Sequence, residues 1–299
     1  WWWHPEAMAM LCAKALENDI ETEYVRNLVR VHRLAPEEPP QHIESWPWPV
    51  KIHTLGRFSL LLDDRPARFP GKAQHKPLEL LKALIAFGGR DVGSERLAEV
   101  LWPDATGDAA QSALDTTLHR LRKIMGNDKA VELREGHVSL DPRCCWVDVW
   151  ALERLMNQAE KSGSPELTEK ALALYRGHFL GTETEQSWAI PLRERLRNRV
   201  LRHLVREGRI LEDAKRWKKA AEFYQKVLEM DNLAEEAYQR LMLSYQRMGR
   251  RAEALAVYQR CRKILSSVFG IEPSPETEAI YRQIKDDEVV KTKNLPLRR

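Results

Sequence analysis

The stretch Asp108–Gly126, DAAQSALDTTLHRLRKIMG, leaves the middle of this 299-residue chain little choice of local fold. Leu114, Leu118, Leu121 and Met125 recur at i, i+4, i+7 and i+11, the spacing that lines one face of an α-helix. On a wheel of about 100° per residue, Ser112, Thr116, His119, Arg120 and Lys123 fall on the opposite face. Asp108 is expected as the N-cap, with Gln111 completing a variant capping box, and Gly126 as the left-handed stop. The apolar stripe needs other elements to cover it. The polar face offers hydroxyls, an imidazole, a guanidinium and an ammonium, donors and acceptors that suit base edges and phosphates in a major groove. A solvated surface helix has the same composition, so the neighbouring sequence must decide.

Before this helix the pattern changes period. KIHTLG and RFSLLL, within Val50–Phe69, alternate apolar and polar, with turn signals at Gly56 and Asp63-Asp64, which predicts a small antiparallel sheet. Lys76–Phe87 is a hydrophobic helix ended by Gly88-Gly89. Ser94 is expected to cap a second helix, ERLAEVLW, which Pro103 breaks. After Gly126, VELREGHVSLD predicts two strands about a turn at Glu135-Gly136. Sheet, helix, helix, loop, helix and hairpin is the order of a winged helix, whose third helix turns its polar side outward beside the wing.

From Val147 onward the chain is expected to be helical throughout. Trp217–Tyr224 and Arg251–Tyr258 superpose at a period of 34, matching Ala220 with Ala254 and Tyr224 with Tyr258, and Tyr238–Tyr245 adds a helix between them. A 34-residue helix–turn–helix repeat is the tetratricopeptide (TPR) signature, with small residues where paired helices approach closely. Two repeats are clear, so helices at Leu152–Ala159, Leu167–Tyr175 and Trp188–Arg206 are needed to complete the core.

LGRFSL, LELLKALIAFGGRDVGSERLAEVLWPD, LHRLRKIMG and CWVDVWALERL together resemble the OmpR/PhoB-type winged helix of regulators that carry a bacterial transcriptional activator domain, the SARP-like group. The resemblance covers roughly residues 50–285. It implies a mainly α fold with a small β component: a winged helix-turn-helix domain followed by an all-α, TPR-like domain. The division expected is a helical remnant of an upstream domain at 1–34, a Pro-rich linker at 35–49, the winged helix at 50–146, the activator domain at 147–285 and a disordered tail at 286–299. In residues 1–34, Ala7, Met8, Leu11, Ala15 and Leu16 form one apolar stripe and Tyr24, Val25, Leu28 and Val29 another. Trp1–Trp3 and the missing initiator Met suggest a piece cut from a longer protein, with an upstream signalling domain absent.

Other functions find no support in the sequence. There is no Walker A, GxGxxG, HExxH or GxSxG motif, and the nine histidines show no metal-ligand spacing, so no enzyme, cofactor or metal is expected. No apolar run approaches the roughly 20 residues of a membrane span. Four cysteines without CxxC pairs fit a reducing, cytoplasmic setting. Charge is a caution: Val50–Trp150 carries 15 Lys/Arg against 14 Asp/Glu, so nucleic-acid contact must come from local clustering.

Direct readout is expected from Thr116, His119, Arg120 and Lys123, with Ser112 nearest the helix start. Arg122, about 100° away beside Asp115, is expected to clamp a backbone or pair with Asp115. Arg134 and His137 in the wing are candidates for the minor groove, and Lys72, Lys76 and Ser94 for flanking phosphates. The expected function is sequence-specific binding of double-stranded DNA and regulation of transcription, mostly activation, with recognition helix 109–125 and wing 131–140. The resemblance implies RNA polymerase and a second copy of the chain as further partners. The competing reading is a TPR-type scaffold in a signalling protein, its winged helix reading no DNA.

Overall fold

The structure, a computed structural model, describes residues 4–68, 74–181 and 186–293, with side chains through Asp286. Strands β1 (Val50–His53) and β2 (Ser59–Leu62) pair antiparallel, Val50 opposite Leu62 and His53 opposite Ser59. Asp63 and Asp64, at φ 45° and 66°, turn the chain into β3 (Arg65–Pro66). A two-residue hairpin loop with both residues in the left-handed region matches the right-handed strand twist, and Asp tolerates that region better than most residues.

Helices α3 (His75–Ala86), α4 (Ser94–Leu101) and α5 (Gly107–Met125) pack on one another. Between α3 and α4 lies the short strand β4 (Val92–Gly93). Leu80, Leu81, Leu84 and Ile85 of α3, Leu97 and Leu101 of α4, and Leu114, Leu118, Leu121 and Met125 of α5 are all buried. Each such side chain contributes about 1.5–3 kcal/mol on burial, which fixes the rotation of α5 about its axis. The hairpin β5 (Val131–Arg134) and β6 (His137–Leu140) turns on Glu135 and Gly136, both at positive φ, and β4 joins its edge to give the order β4-β6-β5.

Strand β7 (Cys145–Val147) pairs in parallel with β1, closing a second sheet in the order β3-β2-β1-β7. The sequence pattern predicts only antiparallel partners here. The pairing joins residues some ninety positions apart, and local alternation carries no information about such a partner.

Helices α1 (Pro5–Glu17) and α2 (Thr22–His32) form where the N-terminal helices are expected, and Met8, Ala15, Leu16, Val25, Leu28 and Val29 of the expected stripes face the core. Ala9, Cys12, Leu16, Val25 and Val29 are buried, whereas Leu11 and Tyr24 are 62% and 67% exposed. Within residues 35–49, Trp46 and Trp48 share one apolar cluster with α1, α2, Trp146 and Ala151. The Trp48 indole donates to Ile43 O and the Trp146 indole to Gln41 O, both at 2.9 Å. Two buried indoles offset the cost of ordering a segment whose prolines already restrict it. Trp1–Trp3 lie outside the described residues.

Helices α6 (Asp148–Ser162) and α7 (Pro165–Leu174) pack together, and α8 (Ile190–Asp213) follows a single 3-10 turn at Ser187–Ala189. By packing, the chain divides into units 1–196 and 197–299. In the second, α9 (Trp217–Met230), α10 (Glu235–Arg247), α11 (Arg251–Phe269) and α12 (Pro275–Lys293) pack as neighbouring antiparallel pairs. Ala220 and Ala254 are fully buried. Gly208 serves the same end on α8, since a Cβ there would come within 2.6 Å of the Tyr224 ring. The tail expected from Asp286 is still helical to Lys293, with residues 294–299 outside the description. Its polar, aperiodic composition hides a helix that simply continues α12.

Candidate nucleic-acid interface

The first turn of α5 is built differently from the capping box expected. Thr106 is the N-cap and makes no side-chain cap bond; Asp108 sits inside the first turn, and Gln111 Nε2 donates to Asp115 Oδ1 at 3.4 Å. Asp108 therefore acts on the helix end as a charge near the positive pole of the dipole. At the other end Gly126, at φ 63°, stops the helix as expected.

With the leucine stripe buried, the opposite side of α5 is set toward solvent. Ser112, Thr116, His119, Arg120 and Lys123 are all exposed on it. The Thr116 hydroxyl donates to Ser112 O at 3.0 Å, leaving its oxygen free to accept. Asp108 and Asp115 fall on the His119 side of the wheel, so positive charge gathers in the C-terminal half around Arg120 and Lys123. Neither cation has an ion-pair partner among the described residues, so nothing in the fold neutralises them.

Three other contacts fix how α5 and the wing sit together. Arg122, half-buried, donates from Nε to Val131 O at 2.9 Å, tying the last turn of α5 to β5; Asp115 is not its partner. Ser94 is buried, makes no cap bond, and its amide donates to Gly136 O at 2.7 Å under the wing turn. Leu140 N donates to Gly89 O, pinning the other end of the hairpin to the turn after α3. Gly89 itself, at φ 78°, faces Trp150, whose ring a Cβ would meet at 2.6 Å.

On the wing, Arg134 and His137 are exposed. Arg134 pairs with Glu132 at 2.9 Å, and a ring nitrogen of His137 lies 3.0 Å from Glu135 O. Lys76 is exposed but engaged, with Nζ 2.9 Å from Leu101 O, 3.0 Å from Glu79 and above the Trp102 ring. Lys72 lies outside the described residues. The structure thus gathers the five residues of the α5 face and, beside them, the wing; it commits Ser94 and Arg122 to internal contacts and pairs the exposed Lys76 with Glu79.

The positioning residue that sequence reasoning missed is Asp148. It is 2% exposed, and its carboxylate accepts from Thr54 N, Leu55 N, Thr54 Oγ1 and Val149 N at 2.6–2.8 Å. It ties the end of β1 to the start of α6. Burial is the largest influence on this carboxyl and raises its pKa, while the bonds from Leu55 and Thr54 oppose that rise. Asp at the first position of a helix is common enough that nothing in the sequence marks it.

Among the described residues no helix is long and apolar enough to cross a membrane. Comparison with known proteins gives the chain its relatives. Residues 147–285 match the family model of the bacterial transcriptional activator domain. The chain is 28% identical over 228 residues to the regulatory protein AfsR of Streptomyces griseus, covering 73% of this chain and 23% of that protein. It is 28% identical over 243 residues to the transcriptional regulator RedD of Streptomyces coelicolor, covering 75% of this chain and 67% of that one. It spans about a quarter of the length of AfsR. Mycobacterium tuberculosis EmbR, solved in complex with a low affinity phosphopeptide, shares the fold over 82% of this chain and 69% of its own, at a TM-score of 0.61 and 19% identity. Residues 147–285 thus form a bacterial transcriptional activator domain, and the chain as a whole is similar to the regulatory proteins AfsR and RedD.

Proposed function

We propose that this chain is a sequence-specific, double-stranded-DNA-binding regulator of transcription, most simply an activator. The observation that carries the reading is the outward face of α5, where Arg120 and Lys123 stand exposed and unpaired beside Ser112, Thr116 and His119. A 19-residue helix with its far side buried can enter a major groove, and the forked guanidinium of Arg120 suits guanine O6 and N7. Arg134 and His137 on the hairpin are the candidates for minor-groove or phosphate contact. Arg122 serves the interface by holding α5 against β5. AfsR and RedD, regulatory proteins by name, support the same reading.

The TPR-like helices from Asp148 onward are assigned to assembly: a second copy of the chain, RNA polymerase, or both. A scaffold that reads no DNA is favoured by one observation, the near balance of charge across residues 50–150. Selection of bound duplexes from a random pool separates the two. A regulator enriches one motif and binds it more weakly as salt rises; a scaffold enriches none.

A further inference from the structure

Behind α2, the first unit holds a cavity of about 220 Å³ that the DNA reading does not use. Its walls are Trp46, Trp48 and five prolines, with Val29, Leu34 and Ala35. Three arginines, Arg30, Arg33 and Arg143, complete the lining, and no Asp or Glu is part of it. Arg30 is held by Asp64 at 2.7 Å. Arg33 and Arg143 have no ion-pair partner among the described residues.

The backbone fixes where these two guanidiniums start. Arg33 closes α2 at φ 50°, a left-handed conformation that a long side chain seldom adopts. It is the left-handed stop of the helix, closed by Leu34 N donating to Val29 O at 3.0 Å, and it holds the Arg33 backbone at the cavity rim. Arg143 sits on a loop held from three directions: its amide donates to Asp141 Oδ1 at 2.8 Å, Cys144 N donates to Asp141 O, and Gln41 Nε2 donates to Pro142 O at 2.6 Å. Two uncompensated cations on a proline-walled cavity, floored by the buried Trp46 and Trp48, are the complement of a molecule with an apolar ring and a negative end.

We propose that this cavity binds a small organic acid, one or two rings carrying a carboxylate. The rings would lie against Ala35 and the prolines, with the Trp46 and Trp48 indoles buried beneath them, and the carboxylate would accept forked hydrogen bonds from Arg33 and Arg143. Pockets that hold drug-sized ligands measure about 300–1,000 Å³, so a smaller occupant is required here.

Calorimetric titration of the 299-residue chain with benzoate, cyclohexanecarboxylate and 2-naphthoate tests this, with 2-naphthamide as the uncharged control. At least one acid should bind saturably at one site per chain, and the amide of the naphthyl acid should bind about tenfold or more weakly than the acid itself. Arg33→Gln and Arg143→Gln should each weaken that acid about tenfold with the melting temperature unchanged. Ala35→Phe, which fills the cavity and touches no charge, should abolish binding while the circular dichroism spectrum stays the same. Saturable binding of none of the three acids overturns the proposal, as does binding that survives the Arg33→Gln/Arg143→Gln double variant or treats acid and amide alike.

Discussion

At the scale of single residues, position on α5 separates folding from recognition. Arg120 is exposed and Leu118 is 1% exposed on the same helix two positions apart. Arg120→Ala should leave the melting temperature nearly unchanged, because an unpaired surface charge contributes little to stability. It should weaken cognate DNA binding by about 1–3 kcal/mol if it reads a base. Leu118→Ala should instead cost about 2–5 kcal/mol of stability through the cavity it leaves, visible in a denaturant titration. A second residue-scale test concerns Asp64. Burial alone would raise this carboxyl, but the hydrogen bond from Lys51 and the charges of Lys51, Arg26 and Arg30 outweigh it and hold the pKa below its usual value. A depressed carboxyl contributes stability above its unfolded pKa of about 3.9 and loses it as pH falls through the folded value. Asp64→Asn should therefore destabilise the protein at neutral pH, and the gap to the parent should narrow progressively as pH falls below about 4 in thermal melts. A gap that stays constant as pH is lowered from about 5 to about 3 would show that the ion cluster is not its source.

Elements were legible wherever a local period specifies them. The leucine spacing of α5, the 34-residue repeat and the Glu135-Gly136 turn each announce their structure within a few residues of sequence. What depends on distant partners was not legible: the parallel β7–β1 pairing, and the exposure of Leu11 and Tyr24 while Ala9 and Cys12 are buried. The site divides the same way. The α5 face follows from helix phase, whereas the commitments of Ser94 to Gly136 and Arg122 to Val131 depend on how the wing folds back. The Asp148 anchor lay equally out of reach, since its partners are backbone amides almost a hundred residues away. At this scale the repeat helices make their own prediction. Ala220 and Ala254 are fully buried where helices pack closely, so Ala220→Leu or Ala254→Leu should each destabilise the chain by about 1–3 kcal/mol through overpacking. An unchanged midpoint of unfolding for both would show that the helices are not in close contact there.

For the whole molecule, a single winged helix reads only a short half-site, so useful specificity calls for paired modules about one helical turn of DNA apart. Two chains should therefore assemble on a duplex carrying two half-sites, in direct repeat, and mass measurement of the complex would show it. One chain saturating such a duplex would remove the role assigned to pairing. The central claim, that the outer face of α5 reads DNA, is met most directly by one titration series. Parent and Arg120→Ala chains are titrated with the selected duplex and a scrambled duplex over a range of salt concentrations. The account predicts that the parent prefers the selected duplex by about a thousandfold or more, that log K falls linearly with log salt, and that Arg120→Ala loses roughly ten- to a hundredfold on the selected duplex alone. Equal binding of both duplexes by the parent, or a variant that melts normally and binds the selected duplex as the parent does, would contradict it.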